Sequence, residues 1–168
     1  MYSYVPKFEG QKFSELRKDI DTWDKRFLAV AKEISTWSKD PSKKIGAIIV
    51  KDKRILATGY NGFPKGIDDS PERYENREVK YELVVHAEMN AIYNAAANGI
   101  SCKDATLYVY GLPVCSNCAK GIVQTGINRI VMDATDVPQR WIDSFDKTKD
   151  MFDEVGIAWS LTGDINNH

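Results

Sequence analysis

His86-Ala87-Glu88 is followed 27 positions later by Cys115-Ser116-Asn117-Cys118. The two segments use one of the chain's two histidines and two of its three cysteines. One imidazole and two thiolates make three zinc ligands, one short of the four that close a structural site, and leave the fourth position for a water. A fold that honours this pattern must bring both segments to one point. Glu88, two residues from His86, is then at hand to move that water's proton.

Local signals support such a meeting. The two-residue spacing of Cys115 and Cys118 suits a turn that gives two thiolates to one metal. A helix is expected to begin there, and its dipole and free N–H groups favour thiolate over thiol. His86 precedes a second helix start, so two helix N-termini are expected to converge on the metal. A redox pair would leave His-x-Glu unused. Half a zinc finger would need two further ligands, and no second Cys-x-x-Cys or His-x₃-His exists. Cys102 reads as a free thiol without a role, and His168 as a terminal residue. The combined pattern matches the signature of the zinc nucleobase deaminases. In that chemistry zinc lowers the pKa of its water towards about 7. Glu88 takes the proton, the carbon bearing an exocyclic amine (C4 of cytosine) is attacked, and Glu88 carries protons to ring N3 and to the leaving amine. The rival reading of Glu88 is a carboxylate that only complements the helix dipole.

Composition narrows the setting. At 168 residues, 43% hydrophobic and 28% charged, the chain reads as one soluble globular domain. No apolar run approaches the ~18 residues of a membrane helix, and Met1 to Gly10 does not read as a secretory signal. Three cysteines without a signal point to a reducing compartment, here the cytoplasm. A net charge of −1 without a long basic block favours a small-molecule substrate over nucleic acid.

Periodicity predicts a helix from Asp21 to Ser38, with Trp23, Phe27, Val30, Ala31, Ile34 and Trp37 at helical spacing. Ile45 to Val50 and Arg54 to Gly59 form an expected hairpin about Lys51-Asp52-Lys53. Tyr60 to Val85 reads as a long loop with a helical piece near Glu72 to Lys80. Helices are expected from Ala87 to Asn98, from Cys115 or Ser116 to Thr125, and from Trp141 to Glu154. Strands are expected at Thr106–Tyr110, Arg129–Met132 and Ile157–Leu161. This order predicts an α/β fold, a three-layer α/β/α arrangement about a mixed sheet of about five strands. Residues 1–20 are expected to be an N-terminal extension, 21–162 the catalytic domain and 163–168 a tail.

Several further blocks narrow the reading: Ser38-Lys39-Asp40-Pro41, Ile45 to Val50, Gly59-Tyr60-Asn61-Gly62-Phe63-Pro64-Lys65-Gly66, His86-Ala87-Glu88-Met89-Asn90-Ala91-Ile92, Cys118-Ala119-Lys120 and Gln124-Thr125-Gly126-Ile127. With these, residues 22 to 160 resemble the cytidine/deoxycytidylate deaminase superfamily. The Gly-Tyr-Asn-Gly-x-Pro-x-Gly loop directs the resemblance to its deoxycytidylate (dCMP) branch. The resemblance implies a cytidine deaminase-like fold and hydrolysis of dCMP to dUMP and ammonia, supplying dTTP synthesis. It implies one catalytic zinc per subunit on His86, Cys115 and Cys118, with Glu88 as proton shuttle. It further implies nucleoside contacts from Asn61 and the Ala87 backbone, dCTP and dTTP as effectors, and a homo-oligomer, commonly a hexamer.

The loop can also be read from its residues. Its glycines allow positive φ and close backbone approach to a ligand, and Asn61 offers both a donor and an acceptor. Lys43, Lys44 and Lys65 are candidates for a phosphate or effector, against a plainer role as solvated lysines. Val114 separates Pro113 from Cys115, where the family pattern has proline directly before the cysteine. Residues 63 to 85 hold no Cys or His for a second zinc, and Asp133 to Val137 lacks a tyrosine that some relatives place near the pocket. Three alternatives remain open: a broader dCMP/dCTP deaminase, a tRNA adenosine deaminase, and a zinc-stabilised binding domain without catalysis.

Overall fold

The computed structural model describes residues 17–163. In chain order the elements are α1 (Thr22–Ser35), β1 (Gly46–Lys51), β2 (Arg54–Tyr60), α2 (Pro71–Glu75), α3 (Arg77–Leu83), α4 (Ala87–Ala97), β3 (Thr106–Gly111), α5 (Ser116–Thr125), β4 (Arg129–Ala134), α6 (Gln139–Val155) and β5 (Ala158–Thr162). The sheet order is β2-β1-β3-β4-β5. β1 runs antiparallel to both β2 and β3, whereas β3, β4 and β5 are parallel. The mixed five-stranded α/β sheet expected from the sequence is therefore present. No helix among the described residues is long and apolar enough to cross a membrane.

Strand alternation divides the core between the two faces. Ile48, Val50, Tyr108 and Val131 point to one face, where α1 covers them with Phe27, Leu28, Ala31 and Ile34. Ala47, Ile49, Leu107, Val109, Ile130 and Met132 point to the other, against residues of α4, α5 and α6. The hairpin between β1 and β2 turns on Asp52 and Lys53, both at positive φ (52° and 60°), the geometry of a two-residue hairpin loop.

α1 begins with a capping box. Asp24 N–H donates to Asp21 Oδ1 at 2.8 Å, and Asp21 N–H to Asp24 Oδ2 at 3.0 Å. The helix ends at Ser35 rather than at the expected Ser38. Ser38 is instead drawn into the following loop, its Oγ donating to Asn61 O at 2.8 Å. Asp24, only 2% exposed, also anchors the sheet. It accepts two bonds from Arg129 at 2.7 Å each and one from Tyr108 Oη at 2.8 Å. Burial works to raise the Asp24 pKa, but the bonds from Arg129, the Asp21 amide and Tyr108 outweigh it and hold it at about 2.

The long loop after β2 carries more structure than its sequence suggested. It folds into α2 and α3, parted at Asn76, whose Oδ1 caps α3 by accepting from Val79 N–H at 3.2 Å. The ends of the excursion are stitched together: Val85 N–H donates to Gly62 O at 2.8 Å and Gly62 N–H to Val85 O at 3.1 Å. This pair sets Asn61 beside His86. The close backbone approach expected of the loop's glycines occurs at Gly59, but its neighbour is a helix. A Cβ there would stand 2.5 Å from Ala87 O and closer still to Ala91 N, so the missing side chain is what lets α4 lie on β2.

Of the expected terminal segments, residues 1–16, 164–167 and His168 lie outside the described residues. The described end of the N-terminal segment runs beside β5, with Leu161 N–H donating to Arg17 O at 2.7 Å and Ser160 Oγ to Asp19 O at 3.0 Å.

Candidate active site

The strand directions gather the site at one end of the sheet. β1 starts there, and β2, β3 and β4 finish there; Gly46 opposes both Tyr60 and Tyr110. The N-termini of α4, α5 and α6 follow from the same end. Carboxyl ends of parallel strands with helix N-termini above them form a crevice suited to anionic ligands.

His86 is the N-cap of α4 and Cys115 the N-cap of α5. Two helix starts therefore meet, as the sequence predicted. His86 Nδ1 lies 3.3 Å from Cys118 Sγ and 3.4 Å from Cys115 Sγ. All three donor atoms fall within 4.8 Å of one another. Zinc bonds of about 2.1 Å to nitrogen and 2.3 Å to sulfur at the tetrahedral angle separate N and S by about 3.6 Å. The donor set thus fits one zinc ion. Cys118 N–H donates to Cys115 Sγ at 3.4 Å, a first-turn amide that supports thiolate character.

The three side chains shift one another's proton affinities. The Cys115 thiol is held down to about 4, chiefly by the hydrogen bond from the Cys118 thiol and then by His86. Cys118, as the donor of that bond, is pushed up. His86 is raised, first by its bond to Cys115. The Cys115 and His86 shifts favour a thiolate beside a cation.

Glu88 sits in the first turn of α4 and is 4% exposed. Burial pushes its carboxyl up to about 7. It lines a cavity of about 380 Å³ together with His86, Ala87 and Asn61. Trp141, from the start of α6, forms another wall, its ring centroid 5.6 Å from that of His86.

The candidate binding residues meet different fates. Ala87 lines the cavity with no exposed surface. Asn61 also lines it, but its amide already serves the protein. Oδ1 accepts from Ile45 N–H at 2.8 Å, and Nδ2 donates to Lys43 O at 2.8 Å and to Asp40 Oδ2 at 3.4 Å. Asn61 thereby holds the Asp40–Ile45 segment against the site and keeps one Oδ1 lone pair for a ligand. Lys43 lines the cavity; Lys44 faces a separate depression beside Trp37, and Lys65 lines neither.

Sequence reasoning missed the cavity's other cations. Arg77, at the start of α3, and Arg140, in the first turn of α6, both line it. Lys80 does too, but pairs with Asp40 at 2.9 Å. Neither arginine stands in a motif; the available signal was an arginine in the first turn of a helix, where a cation opposes the dipole.

The family model for the cytidine and deoxycytidylate deaminase zinc-binding region matches residues 21–134. A deaminase of Aliivibrio fischeri, named only as an uncharacterized deaminase of the luxG 3′ region, is 40% identical over 140 residues, or 82% of this chain and 92% of its own. The deoxycytidylate deaminase of Mus musculus is 42% identical over 121 residues, covering 68% of this chain and 66% of its own. The solved structure of the dCMP deaminase from cyanophage S-TIM5 superposes with a TM-score of 0.66 at 26% identity, over 83% of this chain and 96% of that one. The match to the family model runs from α1 through β4 and takes in both halves of the zinc motif. The chain belongs to the cytidine and deoxycytidylate deaminase family.

Proposed function

We propose that this chain hydrolyses dCMP to dUMP and ammonia, supplying dUMP for dTTP synthesis. The observation that carries the reading is the shared cavity: buried Glu88 and His86 line the same space as Lys43, Arg77 and Arg140. A cytosine ring and a 5′-phosphate find complementary groups there. Zinc held by His86, Cys115 and Cys118 supplies Lewis-acid activation of water. Glu88 Oε takes the proton of the attacking water and passes it to ring N3. The same carboxylate then takes the remaining proton from the new hydroxyl at C4 and delivers it to the departing amine, so that the C4–N bond breaks as the C4 carbonyl forms. Trp141 offers a face for the ring, and the Ala87 backbone and the remaining Oδ1 lone pair of Asn61 are contacts for base and sugar. Burial around Glu88 keeps bulk water from competing for its proton.

Lys43, Arg77 and Arg140 are assigned to the phosphate, and Lys44 and Lys65, outside the cavity, at most to an effector. The proposal includes a catalytic domain over residues 21–162 and a homo-oligomer, a hexamer in the family pattern, answering to dCTP and dTTP. Exposed Ile55 and Tyr60 on edge strand β2, with Tyr93 on the outer side of α4, support association of copies.

The test is ammonia release by zinc-loaded protein from dCMP, dCTP, deoxycytidine and adenosine, each with and without added effector. Turnover of dCMP above the rest is expected, and Glu88→Gln should lower it by about 10²–10⁴-fold while zinc stays bound. Equal turnover of dCTP would favour the broader nucleotide deaminase. No ammonia from dCMP with zinc in place overturns the reading.

A further inference from the structure

We propose that Ser144 and Thr148 of α6 are positioning residues that fix the aim of the metal ligand Cys115. The inference rests on the metal reading of the site and concerns the one place where the motif departs from pattern, the intervening Val114.

The two peptide planes flanking the Cys115 Cα are each held by an α6 hydroxyl. On the N-terminal side, Thr148 Oγ1 donates to Val114 O at 2.9 Å; its own-helix acceptor Ser144 O is more distant, at 3.3 Å. On the C-terminal side, Ser116 N–H donates to Ser144 Oγ at 2.9 Å, and that hydroxyl turns to Ser116 Oγ at 3.2 Å. Holding the first plane sets φ of Cys115 and holding the second sets ψ, observed at −76° and 161°. With both fixed, the Cα–Cβ bond of Cys115 has one direction, and only the χ1 rotation remains to bring Sγ to His86 Nδ1.

The arrangement is built into the interior. Val114 and Thr148 have no exposed surface, so Thr148 also satisfies a carbonyl that water cannot reach. Trp141, Ser144 and Thr148 stand three and four residues apart and so share one stripe of α6. One helix face therefore touches His86 through Trp141 and brackets Cys115 through the two hydroxyls. Groups that orient metal ligands from outside the coordination sphere typically change metal affinity about 10–100-fold when removed.

The experiment measures zinc affinity of the full chain by chelator competition, with the visible spectrum of the cobalt-substituted protein as a second readout. Thr148→Val and Ser144→Ala should each weaken zinc about 10–100-fold and shift the thiolate-to-cobalt band. Thr148→Ser, which keeps the hydroxyl, should stay within about threefold of wild type. Phe152→Leu, in the same helix but packed in the core, should lower Tm while leaving zinc affinity unchanged. If Thr148→Val fails to fold, the half-buried Ser144→Ala carries the test alone. Wild-type affinity in the folded hydroxyl-free variants overturns the inference, as does a loss no larger than that of Phe152→Leu. A wild-type chain that takes up no zinc overturns the metal reading, and the inference with it.

Discussion

A single methyl group at Gly59 should disable the site from behind. Gly59 lies in β2 beneath α4, and a Cβ there would sit 2.5 Å from Ala87 O, where ordinary contact needs 3.4 Å. The neighbours are helix backbone and cannot rotate away, and the tighter contact, Ala91 N at 2.3 Å, sets the retreat of α4 at about 1.1 Å, its shortfall from 3.4 Å. That helix carries His86 at its N-cap and Glu88 in its first turn, whereas Cys115 and Cys118 stay on α5. A displacement near 1 Å between catalytic groups costs about 10²-fold in rate. Overpacking adds about 1–3 kcal/mol of destabilisation, a fall of about 2–12 °C in Tm for a chain of this size. Gly59→Ala should therefore lower kcat on dCMP about 100-fold and weaken zinc, read by ammonia release, thermal melting and metal content. Gly121→Ala is the control. Its nearest neighbour is the free end of Met89 at 3.0 Å, which can swing aside, and alanine suits the interior of α5. Gly59→Ala with wild-type kcat and Tm would refute the argument that α4 is held at its closest approach.

The same geometry yields three further expectations. Asp24→Asn leaves Arg129 facing an amide and should cost about 3 kcal/mol, the lower end for a buried pair because Arg129 is partly exposed. The Asp24 carboxyl titrates at about 2 folded against 3.8 unfolded, so its ionised form stabilises the fold above about pH 5, and that stability is lost as pH falls towards 2. Urea midpoints of wild type and variant should accordingly converge by about 1 kcal/mol between pH 6 and pH 3; a constant gap would show that the carboxylate charge is not what holds α1. Arg140→Ala should raise KM for dCMP tenfold or more, on the worth of one charge-assisted bond (about 1.5–3 kcal/mol), with deoxycytidine unaffected; equal effects on both substrates would remove the phosphate from this assignment. Trp141→Ala should raise KM for every cytosine substrate by about 5- to 150-fold, the range of base–aromatic stacking, while Trp141→Phe, which keeps an aromatic face, should retain most binding.

How much of this was legible beforehand depended on how local each signal was. The hairpin, the helices α4, α5 and α6 and the two motif halves were readable because each follows from period, caps or ligand chemistry within about a dozen residues. The helical piece expected near Glu72 to Lys80 is present, but its division into α2 and α3 was not legible, because the stretch is charged and aperiodic and the break is set by the Asn76 cap. The resemblance and its own donor and acceptor both point Asn61 to a ligand; only the fold brings Ile45, Lys43 and Asp40 round it. The bond between Asp24 and Arg129 joins residues 105 apart, and nothing in either neighbourhood announces it.

The division between visible and hidden residues follows a division in the chemistry. The groups proposed to activate water and move protons sit at the starts of α4 and α5, inside the stretch matched by the family model, which stops at residue 134. Of the groups proposed to tell one cytosine compound from another, Arg77 on α3 lies inside that stretch but outside the zinc motif, and Arg140 and Trp141 at the start of α6 lie beyond it. A zinc ion and a proton shuttle require few residues at set spacing, so their demand is written as a motif. A phosphate can be met by any arginine that reaches it, from any helix the fold aims at the cavity, so that demand leaves no motif. The family pattern therefore carries the reaction, and the proposed choice of nucleotide over nucleoside rests on side chains that only the folded structure brings to the cavity wall.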